Sequence, residues 1–88
     1  MITPIEILYH YGNDHQIKKT IEELTELSLV LQHYQDGKAT DGEVISELAD
    51  VQIMLYQLKN IFGAINVAKE ITEKLKRQEE RINGDKNQ

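Results

Sequence analysis

The chain has no cysteine, no tryptophan and a single proline, and its aromatic residues are four tyrosines and one phenylalanine. Without cysteine there can be no disulfide, no thiol nucleophile, and no zinc–cysteine or iron–sulfur centre. Without tryptophan, stacking on a planar ligand falls to Tyr, His or Phe62. Basic charge is also scarce, with ten Lys and Arg against fifteen Asp and Glu and a net charge of −5. Proteins that neutralise a phosphate backbone usually carry the opposite balance, so no nucleic-acid partner is expected. A cation, or a ligand that arrives with one, suits an acidic chain better. No apolar run approaches the roughly 20 residues of a membrane span. The opening MITPIEIL lacks the basic-then-apolar order of a secretory signal. The expectation is a cytoplasmic protein with no membrane partner.

Eighty-eight residues make one domain, residues 1–88, with 83–88 expected as a frayed polar tail. A chain this short buries only about 60% of its unfolded surface, so its core needs a supplement. With disulfides excluded, a metal ion or a second chain must supply it.

Glycines at positions 12, 37 and 63 each follow a helix-like pattern, and no stretch alternates like a strand. The reading is therefore all-α, with four helices in an antiparallel bundle. The first spans roughly Pro4 to Tyr11, capped by Thr3 with Pro4 at its first position. The second spans roughly Asp14 to Gln35, capped by Asn13 or Asp14, with Ile17, Ile21, Leu24, Leu27, Leu31 and Tyr34 on one face. The third spans roughly Asp41 to Phe62, opened by a Thr40/Glu43 capping box. Its stripe is Val44, Leu48, Val51, Leu55, Leu58 and Phe62, and Ile45, Ala49, Ile53 and Tyr56 extend the apolar surface around it. A helix apolar nearly all round is a buried one. One short chain cannot surround it, so oligomerisation is expected to complete the core, as a homodimer or homotetramer. The fourth spans roughly Asn66 to Ile82, with Val67, Ile71, Leu75 and Ile82 apolar.

Two carboxylate pairs stand out, Glu23/Glu26 on the second helix and Glu47/Asp50 on the third. Each pair is spaced i, i+3 and so projects from one side of its helix. The short loop from Asp36 to Thr40 folds the two helices into a hairpin. At about 1.5 Å per residue the pairs then stand within a few ångströms in height. Glu47 falls only about 60° from the centre of its apolar stripe, and Glu23 flanks the apolar face of its own helix. An acid aimed at a core is costly unless it is paired or metal-bound. An all-oxygen donor set suits Mg²⁺, with Mn²⁺ also fitting, rather than zinc. The competing reading is an acidic helix face in water.

This pattern resembles the MazG-type nucleotide pyrophosphohydrolases, an all-α superfamily that includes dimeric dUTPases and dCTP pyrophosphatases. The family signature is E-x-x-E, a spacer, then E-x-x-D. Here it reads Glu23-x-x-Glu26, twenty intervening residues, then Glu47-x-x-Asp50. IEELTEL and ISELADVQIMLYQL match the surroundings, and Gln16-x-x-Lys19 matches an upstream family feature. A basic last helix, KLKRQEERI, is shared with small family members. The likeness runs from about Tyr9 to Ile82, and the chain lacks the additional helices and domains of some relatives.

The resemblance implies Mg²⁺ held by Glu23, Glu26, Glu47 and Asp50, a nucleoside triphosphate substrate, and cleavage to monophosphate and pyrophosphate in nucleotide-pool house-cleaning. Glu26 is the candidate catalytic base. Lys19, Lys74 and Arg77 are candidate substrate contacts, Lys74 and Arg77 from across a subunit interface. Lys19 could instead pair with an acid, and Lys74, Arg77 and Arg81 could pair with Glu70, Glu73 and Glu80. Glu22 is read as solvated. His10, His15 and His33, Tyr9, Tyr11 and Tyr34, and Asn60 are assigned structural roles first. The rival reading is a non-catalytic helical interaction module with an acidic face.

Overall fold

The structure is a computed structural model and describes residues 1–86 as four α-helices, with no strand among them. Helix α1 (Pro4–Tyr11) starts where Thr3 turns extended and its hydroxyl accepts the Glu6 N–H at 3.2 Å. Pro4 takes the first turn, where a missing N–H costs nothing. The helix stops at Gly12, whose N–H bonds the Leu8 carbonyl at 2.7 Å.

Gly12 also begins α2 (Asn13–Gln35), its carbonyl accepting the Gln16 N–H at 3.1 Å. Neither Asn13 nor Asp14 caps the helix, because a single residue joins the two helices and the cap position is already taken by the glycine. That residue sits at φ 89, ψ 163, a conformation open essentially to glycine alone. The bend there lays α1 back against α2 and α3.

Helix α3 (Asp41–Phe62) opens at Thr40 with half of the predicted capping box: the hydroxyl cap forms, whereas the Glu43 carboxylate meets that hydroxyl rather than the Thr40 backbone N–H. The Thr40 hydroxyl accepts the Glu43 N–H at 3.2 Å and donates to Glu43 Oε1 at 3.3 Å. Helices α2 and α3 pack against each other as a hairpin, and α1 packs on both.

Helix α4 (Ala64–Lys86) starts earlier and runs further than the predicted Asn66–Ile82. The Gly63 carbonyl accepts the Val67 N–H at 3.1 Å, so the first turn forms at once after α3. Asn83 and Gly84 do not stop it. Gly84 keeps a negative φ, and a helical glycine costs only about 1 kcal/mol. Residues 83–86 of the expected frayed tail are therefore helical, and 87–88 lie outside the described residues. Among the described residues α4 packs on α3 alone and buries none of its side chains. It does not complete a bundle within one chain.

The apolar stripes face inward only in part: Val51 is buried and Ile17, Leu27, Val44, Leu55 and Leu58 are half-buried, as expected, but the rest are not. The buried side chains of α2 are Gln16, Thr20 and Glu23, whereas Ile21, Leu24, Leu31 and Tyr34 point outward. On α3 the buried set is Val51, Met54 and Gln57, and Leu48 and Phe62 are exposed. Periodicity identifies an apolar face but not what that face meets. Among the described residues the fully buried positions of α2 are all polar, and Leu8, Val51 and Met54 are the fully buried hydrophobic side chains.

The dimensions agree with so small a core. The radius of gyration is 16.7 Å, against about 12 Å for a compact domain of this length. The accessible surface is 7029 Å², against about 5,300 Å² for a folded monomer of 10.2 kDa. No described helix is long and apolar enough to cross a membrane.

Candidate metal centre

Glu23 and Glu26 on α2 and Glu47 on α3 bring carboxylate oxygens within 4.8 Å of one another. The hairpin does this by matching heights. Each acid is displaced by similar lengths of helix from the loop that reverses the chain. Glu23 follows Gln16 and Thr20 on the buried face of α2, at steps of four and three, and is only 7% exposed. Glu47 is half-buried and Glu26 exposed, so the cluster has a closed back and an open front.

The bonding at the back is incomplete. Lys19 Nζ lies 3.4 Å from Glu23 Oε1 and 3.6 Å from Glu22 Oε2. The other oxygens, Glu23 Oε2 and Glu47 Oε2, are buried with no hydrogen-bond partner. Buried polar atoms are nearly always satisfied, because leaving one bare costs its desolvation. Here the bare atoms are oxygens of neighbouring acids, which repel each other besides. Burial pushes the Glu47 carboxyl above the usual carboxylate range, and the charges of Glu26, Asp50 and Glu23 push the same way. Lys19 is held above the ordinary lysine value, chiefly by its hydrogen bond to Glu23 and that carboxylate's charge.

A hard cation held by Glu23, Glu26 and Glu47 would offset both defects, satisfying the bare oxygens and reducing the repulsion. The donors are all carboxylates, the set that suits Mg²⁺ or Mn²⁺. The fourth expected ligand, Asp50, is exposed and falls outside the 4.8 Å group, although its charge reaches Glu47. Glu22 is the exposed partner of Lys19, in line with its solvated reading.

The basic residues of α4 are not brought to these acids within one chain. Lys74, Arg77 and Arg81 line a cleft of their own with Gln78, on a helix that packs on neither α1 nor α2. None of the ion pairs expected for Lys74, Arg77 and Arg81 forms among the described residues; the pair on α4 is Lys76–Glu73, at 3.9 Å, which the sequence reading did not name.

Next to the acids lies a groove of about 580 Å³, walled by Ile7, Tyr11, His15, Ile53 and Met54 and reaching Lys19 and Glu22. Tyr11 and His15 stack across Gly12, with centroids 4.7 Å apart and planes 13° from parallel. Behind them, His15 Nδ1 is 2.7 Å from Gln16 Oε1, and Gln16 Nε2 donates to Gln57 Oε1 at 2.7 Å. The sequence reading assigned His15 and Tyr11 structural roles and passed over Gln57. A signal was present. Gln57 stands three residues beyond Met54 on the buried face of α3, where an amide is out of place among apolar neighbours.

No family model, no curated protein and no solved structure matches this chain.

Proposed function

We propose that the chain is a Mg²⁺-dependent nucleoside triphosphate pyrophosphohydrolase of MazG-like bundle architecture, active as an oligomer. The observation that carries this reading is the pair of bare, buried carboxylate oxygens, Glu23 Oε2 and Glu47 Oε2, in a cluster with Glu26. An acidic face that merely contacts a partner has no reason to bury acids against one another.

Glu23, Glu26 and Glu47 would hold the ion, with Asp50 one turn along α3 as the fourth donor. Bound Mg²⁺ neutralises phosphate oxygens and lowers the pKa of water. The remaining work falls to the chain. Glu26 is the open member of the cluster and the one positioned to take a proton from the attacking water. Water adds at the α-phosphorus, the bond to the α–β bridging oxygen breaks, and monophosphate and pyrophosphate leave. Lys19, on the flank of the acids, offers its ammonium to the phosphates. In a house-cleaning role the substrate is an unwanted nucleotide.

A second copy completes the fold in this reading. The surface exceeds that of a compact monomer by about 1,700 Å². That is the scale one subunit buries in an obligate interface. The exposed apolar side chains available to such a contact include Ile65, Ile71 and Leu75 of α4 and Ile45, Tyr56 and Phe62 of α3. Such a contact is also the route by which Lys74 and Arg77 would reach the acids of a partner.

The test is a product assay on ribo- and deoxyribonucleoside triphosphates with Mg²⁺, with chelator, and with Glu47→Gln. Monophosphate plus pyrophosphate, lost in both controls, is the expected result. Orthophosphate and diphosphate would refute α–β cleavage. No turnover, together with no effect of Mg²⁺ on melting, would favour the interaction module.

A further inference from the structure

We infer that the groove beside the acids is a nucleobase site, with the Tyr11–His15 stack as its platform and a buried glutamine pair as the device that orients His15. This rests on the reading of the acids as a metal–triphosphate site, and it names how the rest of the substrate is held.

The first argument is layout. Along α2, His15, Lys19 and Glu23 recur every four residues, so they line one side of the helix. The order is aromatic, cation, acid. At about 1.5 Å per residue, His15 stands roughly 12 Å along the axis from Glu23, with Lys19 midway. A nucleotide has the matching order of planar base, sugar and charged phosphates. The groove takes in His15 and Lys19 of this line and ends at Glu22, beside Glu23, and its volume of about 580 Å³ is that of a small-molecule site.

The second argument is the hydrogen-bond chain behind the platform. Gln57 Nε2 faces the Ile53 carbonyl at 3.4 Å, and a carbonyl can only accept. That turns Gln57 Oε1 toward Gln16 and makes Gln16 Nε2 the donor between them. Gln16 Oε1 is then left toward His15 at 2.7 Å, so His15 Nδ1 must carry the proton. That bond fixes the plane of the His15 ring, and with it the plane of the platform on which a base stacks. Gln57 is fully buried and Gln16 is 3% exposed. Two amides in so small a core, where leucine would pack without a polar demand, serve to fix a ring rather than to stabilise the fold. They are positioning residues. Tyr11 and His15 make the contact, and a base stacked on them packs its edge toward Ile53 and Met54.

Calorimetry with Mg²⁺ separates this inference from the reading beneath it. The ligands are inorganic tripolyphosphate, which has the phosphates and no base, and a panel of nucleoside triphosphates. At least one nucleotide should bind about tenfold or more tightly than tripolyphosphate, the effect expected of one base–aromatic stack. Tyr11→Ala and His15→Ala should each shrink that ratio toward one while leaving tripolyphosphate affinity in place, and Tyr11→Phe should restore it. Gln57→Leu, with the groove's walls intact, should weaken the nucleotide and spare tripolyphosphate. Equal affinity for tripolyphosphate and every nucleotide overturns the base site and leaves the metal–phosphate reading standing. Failure of all these ligands to bind overturns both.

Discussion

Replacing Glu47 by glutamine should change stability in opposite senses with and without metal. In chelator at neutral pH the wild-type chain holds Glu47 against Glu26 and Glu23, with Glu47 Oε2 bare. Glutamine is nearly isosteric, removes one of the three charges and adds N–H donors that neighbouring carboxylates can accept. The variant should therefore melt higher than wild type in chelator. The proton dependence follows. The folded-state pKa of Glu47 lies above its ordinary value, so the folded state binds that proton more tightly than the unfolded state does. The stability this contributes is complete below the ordinary glutamate pKa and is lost as pH rises through the raised value. Glu47→Gln removes that step, so the two melting curves should converge at acid pH and separate as pH increases.

With metal the order reverses. An ion that binds only the folded state adds about 2.7 kcal/mol when its free concentration is about 100 times its Kd. For a chain of this length each kcal/mol moves Tm by about 4–8 °C, so Mg²⁺ should raise wild-type melting by roughly 11–22 °C. The variant keeps two acids of the cluster and should lose most of that gain. The assay is differential scanning calorimetry at fixed protein concentration, from pH 4 to 8, with chelator or Mg²⁺. Two results would refute the reasoning. One is a variant no more stable than wild type in chelator at pH 7.5. The other is an equal rise with Mg²⁺ in both proteins.

Ile71→Glu puts a charge on the exposed apolar face of α4 and should shift the protein to monomer in sedimentation velocity with loss of turnover; a variant that sediments as wild type argues against this face as the subunit contact. Gly12→Ala forces a Cβ onto φ 89, ψ 163, which costs about 1–3 kcal/mol, so Tm should fall by at least about 4 °C. An unchanged Tm would mean the α1–α2 bend can be made another way. Gln57→Leu strands the buried Gln16 Nε2 at a cost of about 1–3 kcal/mol, and Gln16→Leu added to it should recover most of the loss. Additive losses in that double-mutant cycle, read by urea unfolding, would show that the two amides are not coupled.

Much of this architecture was legible because it depends on local chemistry. Thr3-Pro4 and Thr40/Glu43 mark helix starts, and Gly12, Gly37 and Gly63 mark helix ends, with a positive φ at each. These are short-range effects that a string of residues records directly. The meeting of Glu23, Glu26 and Glu47 was also legible. Spacing of i, i+3 fixes a side of a helix, and a five-residue loop fixes the height of one helix against the other. Two things were not. The α4 bounds depend on whether anything draws the chain out of its helical ladder near Asn83 and Gly84, and nothing in the described structure does. The role of Gln57 depends on meeting Gln16, forty-one residues away, and no local pattern carries such a pairing.

The apolar stripes give the most instructive mismatch. Ile21, Leu24 and Leu31 on α2 and Ile71 and Leu75 on α4 have the period of a core face, yet all are exposed in the single chain. Meanwhile Gln16, Thr20, Glu23 and Gln57 occupy the interior where such stripes were expected. A monomer gains nothing from this exchange. It spends its interior on groups that resist burial and leaves its best packing surface in water. The arrangement becomes favourable once a second chain covers the stripes, because apolar burial then contributes about 25 cal/mol per Å² at the outer face. In the proposed oligomer that contribution would offset the cost of keeping acids in mutual repulsion at the inner seam rather than filling it with leucine. On that proposal, a substitution that weakens the exposed apolar surface should cost metal binding without touching a ligand.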